Sequence, residues 1–287
     1  MDRERFFATY GMSTLPYTGR DLLEGLEQIA KAGFRCVELT NDKIGWLPSQ
    51  EPRPAVLRRE LARLGLWVRS IHAPYADIGI GHLDKAVANR AAGLVCEAVE
   101  GSAEIGASVV VMHVNEKKYV VDEYQDSVKA SRDLVYRANE VARRVGVRLA
   151  LENMGPYHLP HPRYGSSFTE LAREFSEPEI GFCLDTGHVA LTGLKQEEEI
   201  RAAGARLLSV HAASNDGMSD THQLPTTGVV NWEEVEVGLA EIGYSAPVII
   251  EALAREDPDI VVAQAAELWR HMAGGAYGPS STVHRRA

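Results

Sequence analysis

Gly181-Phe-Cys-Leu-Asp-Thr-Gly-His188 reads as an apolar strand that stops at a carboxylate, with a Thr-Gly turn bringing an imidazole back beside it. An Asp before a turn and a nearby His often serve only as a cap and a surface side chain, so the octet needs structural context before it means a metal site. Five other strand ends supply that context.

Working outward, the same cycle of short apolar run, polar end residue and helical stretch repeats along the chain. Phe6 to Met12 reads as a buried first strand. Leu22, Leu23, Leu26, Ile29 and Ala30 then recur at helical spacing, and Gly33 stops the helix. Cys36 to Leu39 is the second strand, Pro52 to Leu64 the next helix, and Trp67 to Ile71 the third strand, running into His72. The alanine-rich helix from Asp84 to Ile105 precedes the β-branched run Ser108 to Met112, which ends at His113. Tyr124 to Val145 is helical, and Val147 to Leu151 is the fifth strand, ending at Glu152. A Pro, His and Tyr loop from Gly155 to Gly165, with His158 and His161, leads to a short helix over Ser167 to Phe175. Strands over Ile180 to Leu184, Leu207 to Val210 and Val248 to Ile250 complete the set, with helices over Glu197 to Ala205, Trp232 to Ile242 and Pro258 to Met272.

Strands this apolar have no wet face, and their alternation with helices describes a parallel sheet covered by helices. A count of eight points to closure as an α/β (β/α)8 TIM barrel. The rival doubly wound sheet lacks its mark, since no Gly-x-Gly-x-x-Gly follows an early strand. No linker interrupts the pattern. Residues 1–272 are therefore expected to form one barrel domain, with 273–287, rich in Gly, Ser and Arg, as a flexible tail.

His72, His113, Glu152, Asp185, His211 and Glu251 fall at the C-terminal ends of the third to the eighth strands. In a barrel these ends ring one mouth, where active sites on this fold sit. His188 follows the sixth strand, and Asp220 and His222 lie in the long loop after the seventh. A single His or Glu at a strand end is commonly a hydrogen-bonded structural residue. Six on successive ends are harder to explain so, because clustered buried carboxylates repel unless a cation or protons compensate them. Glu152, Asp185, Glu251 and His211 make a mixed O and N donor set of net negative charge, suited to a divalent ion such as Mn, Mg, Co or Zn.

The bulk composition narrows the function classes. With 287 residues, 45% hydrophobic and 24% charged, the chain is long enough to bury a large core. A formal net charge of -10 argues against a broad nucleic-acid surface, which needs Lys and Arg to neutralise phosphates. Cys36, Cys96 and Cys183 are odd in number and widely spaced, as expected of reduced thiols in a cytoplasmic protein. No stretch approaches the roughly 20 apolar residues of a membrane span, and the apolar run within Met1 to Tyr10 is too short to be expected to act as a secretory signal.

Ile71-His-Ala-Pro-Tyr75, Leu149-Ala-Leu-Glu-Asn153, Leu184-Asp-Thr-Gly-His188, the spaced His211, Asn215, Asp216, Gly217, Asp220 and His222, and Ile249-Ile-Glu251 together resemble the xylose isomerase-like barrel superfamily. That group holds sugar phosphate isomerases and epimerases and the apurinic-site endonuclease IV family. In the epimerase and isomerase branch, the resemblance implies one divalent ion held by Glu152, Asp185, His211 and Glu251. It also implies that Glu152 and Glu251 serve as acid and base, with His188 on substrate oxygens. In the endonuclease branch, it implies that the same four with His72, His113, His188, Asp220 and His222 form a trinuclear zinc site. Free-ketose 3-epimerases carry an arginine six residues after the seventh-strand histidine, where this chain has Gly217. The endonucleases carry basic DNA-engaging loops, whereas the loop from Asn41 to Pro54 has little positive charge.

The expectation is a metal-dependent isomerase or epimerase of carbohydrate metabolism, acting on a small polyhydroxy carbonyl compound through an enediolate. The alternatives are a phosphodiester hydrolase with two or three Zn ions, and a lyase or dehydratase on the same scaffold. A homo-oligomer is compatible with either.

Overall fold

Side-chain caps and glycine stops set most of the helices. Asp21 accepts from the amides of Leu23 and Glu24, and Asp84 from those of Ala86 and Val87, so each satisfies orphan donors at a helix start. The computed structural model, which describes residues 1–40, 46–116, 123–156 and 165–273, shows a single closed parallel barrel of eight strands in sequence order, β1 pairing with β8. The order is α1 (Arg3–Thr9), β1 (Tyr10–Ser13), α2 (Leu22–Ala32), β2 (Cys36–Leu39), α3 (Pro54–Leu64), β3 (Trp67–His72) and α4 (Lys85–Glu104). Then come β4 (Val109–Met112), α5 (Tyr124–Val145), β5 (Arg148–Glu152), α6 (Phe168–Glu174), β6 (Gly181–Asp185) and α7 (Thr186–Thr192). The chain continues through α8 (Gln196–Ala203), β7 (Leu207–Ala212), α9 (Trp232–Glu241), β8 (Val248–Ile250) and α10 (Pro258–Ala273).

Alternation along each strand sorts its side chains. Val110, Met112, Leu149, Leu151, Phe182, Leu184 and Val210 point to the helices and form the larger core, while Met12, Val37, Leu39 and Ile71 join a second core with α2, α3 and α10. The other set points into the barrel, where Val109, Val111, Ala150, Cys183 and Leu208 pack together. Two residues on from Val111, Ala150 and Cys183 stand His113, Glu152 and Asp185, so the same period that fills the barrel delivers the polar residues to its mouth. Gly11 is required inside: a Cβ there would lie 2.8 Å from Ile249 Cδ1 and 2.9 Å from Cys36 Sγ.

Three expectations need correction. Phe6 to Met12 is not one strand, because Asp2 caps α1 through the Arg5 amide and Phe6 enters the core from a helix, stacked on Tyr10. A short apolar run does not distinguish the two forms by periodicity. The residues after Asp185 form α7 rather than a turn, with Asp185 as its N-cap. The Glu197 to Glu199 run, which reads in the sequence as the solvated first turn of a helix, is not wholly solvated, since Glu199 is buried and accepts from the Phe168 amide at 2.6 Å. His158, His161 and residues 274–287 of the expected tail lie outside the described residues, as do residues 41–45 of the loop after β2. The three cysteines are unpaired by disulfides. Among the described residues no helix is long and apolar enough to cross a membrane.

Candidate metal centre

All nine side chains singled out in the sequence converge at the C-terminal mouth of the barrel. Strand ends deliver six, and local structure delivers the other three. As N-cap of α7, Asp185 accepts from the His188 amide at 2.7 Å, which fixes His188 one turn into the helix beside it. Asp220 and His222 return to the mouth because the loop after β7 folds back, Ser214 and Gln223 exchanging backbone hydrogen bonds of 2.8 and 2.7 Å. His222 adopts φ +40°, a left-handed conformation uncommon outside glycine, and its carbonyl is held by the Leu253 amide at 3.0 Å.

Glu152 is the hub. Its Oε2 lies 3.0 Å from His72 Nε2, 3.4 Å from His113 Nε2 and 3.8 Å from His211 Nδ1, and its Oε1 is 3.3 Å from His188 Nδ1. Glu251 Oε2 is 3.1 Å from His211 Nδ1 and 3.5 Å from His222 Nδ1. Asp220 bridges His188 Nε2 at 3.2 Å and His222 Nε2 at 3.3 Å.

These contacts specify what the site lacks in positive charge. His72 Nδ1 is 2.8 Å from the Ala73 carbonyl, and His188 Nδ1 is 2.8 Å from the Asn153 carbonyl, so both Nδ1 atoms carry the proton and donate. A neutral ring would then aim the lone pair of His72 Nε2 at Glu152 and that of His188 Nε2 at Asp220. Lone pair facing carboxylate is repulsive unless the ring is also protonated there or a cation lies between them. Asp185 Oδ2 and His211 Nδ1, both buried, take no hydrogen bond. The donor set therefore fits a divalent cation, for which Asp185 Oδ2 and His211 Nδ1 are an oxygen and an imidazole donor. Candidate ligand atoms fall into three groups, each within 4.8 Å: His72, His113 and Glu152; Asp185, His188 and His222; and Glu152, Asp185, His211 and Glu251.

Without a cation, protons carry the balancing charge. Burial opposes charging His188, yet Asp185 and Asp220 raise it well above the usual imidazole range. Burial likewise opposes charging His222, but the Asp220 hydrogen bond raises it to about 9. Burial pushes Glu251 up, while His211 outweighs it and holds the carboxyl at about 2. Asp185 goes the other way, raised by burial to about 6. His113, with burial dominant, is lowered.

A family model described as the xylose isomerase-like TIM barrel matches residues 26–272. The chain belongs to that family. An uncharacterized protein of Methanocaldococcus jannaschii is 25% identical over 249 residues, 84% of this chain and 83% of its own. A ketose 3-epimerase of Arthrobacter globiformis is 24% identical over 272 residues, 91% of this chain and 89% of its own. Among solved structures, a D-tagatose 3-epimerase-like protein superposes with TM-score 0.77 at 20% identity, covering 94% of this chain and all of that one.

Within this xylose isomerase-like barrel, several residues at the mouth have contacts to which the sequence reading assigned no role. Glu38 on β2 is fully buried and 3.0 Å from His211 Nε2. Tyr75 packs against His72 and His113, with ring centroids 4.9 and 5.0 Å away. Asn153 ties β5 to β6, accepting from the Asp185 amide at 2.6 Å and donating to its carbonyl at 3.0 Å. The signal for Glu38 was present: an acid inside the apolar run Cys36-Val-Glu-Leu39, at an inward position of a strand with no wet face.

Proposed function

We propose that the protein is a divalent-metal-dependent epimerase or isomerase acting on a sugar or sugar phosphate. The observation that carries this reading is the convergence of Glu152 and Glu251 on His211 Nδ1, at 3.8 and 3.1 Å, both carboxyls lining a cavity of about 110 Å³ at the mouth. Glu152, Asp185, His211 and Glu251 would hold the ion. It would supply positive charge beside a carbonyl oxygen and its neighbouring hydroxyl, where charge develops as the enediolate forms.

Glu152 and Glu251 are both held ionised by the imidazoles around them, so each can take a proton from the carbon next to the carbonyl. The partner carboxyl returns a proton to the opposite face for epimerisation, or to the adjacent carbon for isomerisation. His72, His113, His188, Asp220 and His222 then face the substrate's oxygens. The similarity to a ketose 3-epimerase along most of both chains supports the reaction class. Gly217 leaves no side chain at the position of the epimerases' substrate-fixing arginine, so the substrate is expected to differ from a free ketohexose. The test is turnover of ketoses and their phosphates with Mn or Co in D2O. A product epimer carrying one deuterium at the inverted carbon supports the reading, and inversion without exchange overturns it.

A second reading, a phosphodiester hydrolase with two or three zinc ions, is favoured by one specific observation. The three donor groups overlap, Glu152 and Asp185 each belonging to two, which is a layout able to seat more than one cation. Under that reading His72, His113, His188, Asp220 and His222 are ligands, and His113→Ala loses metal. A lyase or dehydratase would begin with the same proton abstraction and release water, so its product separates it in the same assay.

A further inference from the structure

We infer that Glu38 is a positioning residue that fixes His211 as an Nε2-protonated ring with its Nδ1 lone pair turned to the mouth. This rests on the reading of His211 as a metal ligand. Glu38 is buried inside the barrel, and both of its oxygens are engaged: Ser70 Oγ donates to Oε2 at 2.6 Å, and Thr40 Oγ1 donates to Oε1 at 2.9 Å. Both also lie against His211 Nε2, at 3.0 and 3.1 Å. A carboxylate already accepting from two hydroxyls offers only acceptor sites to the ring, so Nε2 must be the N–H. With Nε2 committed to Glu38, Nδ1 is the atom left for a cation: it lies near Glu251 and Glu152 and takes no hydrogen bond, and a ring that gives up its Nδ1 proton on metal binding presents its lone pair there.

The barrel is built to hold this acid. Gly11, Ser13, Ser70, Ala150, Cys183 and Ser209 are small inward residues in the layers at and below the site, leaving room for a side chain that reaches from β2 across to β7. No Lys or Arg contacts Glu38 among the described residues, and its partners are two hydroxyls and one imidazole. Such an arrangement orients the imidazole and raises its basicity toward a cation.

The test combines two readouts. In the metal-free protein labelled with 15N-histidine, an Nε2–H proton of His211 protected from exchange is expected, kept in Glu38→Gln and lost in Glu38→Ala. Its absence from the wild type overturns the assignment, whether or not the protein binds metal. In the second readout, Co2+ affinity falls about 10- to 100-fold in Glu38→Ala and is largely recovered in Glu38→Gln, which keeps an acceptor for the ring. A double-mutant cycle with His211→Ala separates positioning from general loosening of the barrel. Glu38→Ala should cost nothing further once His211 is gone; an equal loss in both backgrounds overturns the proposal.

Discussion

Glu152 makes more contacts at the mouth than any other acid there, touching four of its imidazoles. Glu152→Gln keeps the volume and removes one of the two proposed acid–base groups, so turnover is expected to fall about 100- to 10,000-fold, with an unchanged circular dichroism spectrum. Near-normal turnover would remove Glu152 from the reaction. Protonation provides a second test. His222 has its pKa raised from 6.5 to about 9 in the folded state. Its pairing with Asp220 therefore contributes stability to the metal-free protein fully below pH 6.5, and that contribution is lost as pH rises through 9. The melting temperature of metal-free protein should fall across this window, and less so in His222→Gln. Metal affinity should rise over the same range, because the imidazoles must shed protons to bind. A melting temperature that climbs with pH would contradict the assignment of charge in the site.

At the scale of elements, β5 and β6 are tied at the mouth by Asn153, whose side chain closes a two-bond ring with the Asp185 backbone. Asn153→Ala leaves the buried Asp185 amide without its partner, which is expected to cost about 1–3 kcal/mol, read as a lower denaturant midpoint with an unchanged m-value. It should also weaken metal binding, since Asp185 and the α7 cap move together; unaltered stability would show that the ring is dispensable. Elements were legible in the sequence where the pattern was long. The helical spacing and terminal glycines of α2, α3 and α5 are read directly, Gly33, Gly65 and Gly146 all adopting the left-handed caps. Short apolar runs were not: Phe6 to Met12 splits into α1 and β1 because seven residues fit either period. The turn expected after Asp185 is α7 because Asp185 itself is the cap, a role its position as a candidate ligand concealed.

For the molecule as a whole, the eightfold alternation carried closure of the barrel, and closure carried the ring of site residues. Six strand ends are placed by the sequence because a parallel barrel puts all of them on one face. What could not be read was the depth of the site. Glu38 stands one layer below the mouth on a strand followed at its C-terminal end by Thr40, which is neither an acid nor an imidazole, and only the cross-barrel contact between β2 and β7 reveals its partner. Nor does spacing show that His72 and His188 commit Nδ1 to backbone carbonyls, the detail that makes a cation or extra protons necessary.

That necessity is most directly tested by counting metal. Elemental analysis of protein purified without chelator, followed by titration of stripped protein with Mn2+, Co2+ and Zn2+, gives ions per chain and their identity. The proposed epimerase or isomerase predicts one divalent ion per chain, lost in Asp185→Ala and retained in His113→Ala. Two or three zinc ions, with loss in His113→Ala, would contradict that reading in favour of the hydrolase, and no ion bound under any condition would contradict the metal centre itself.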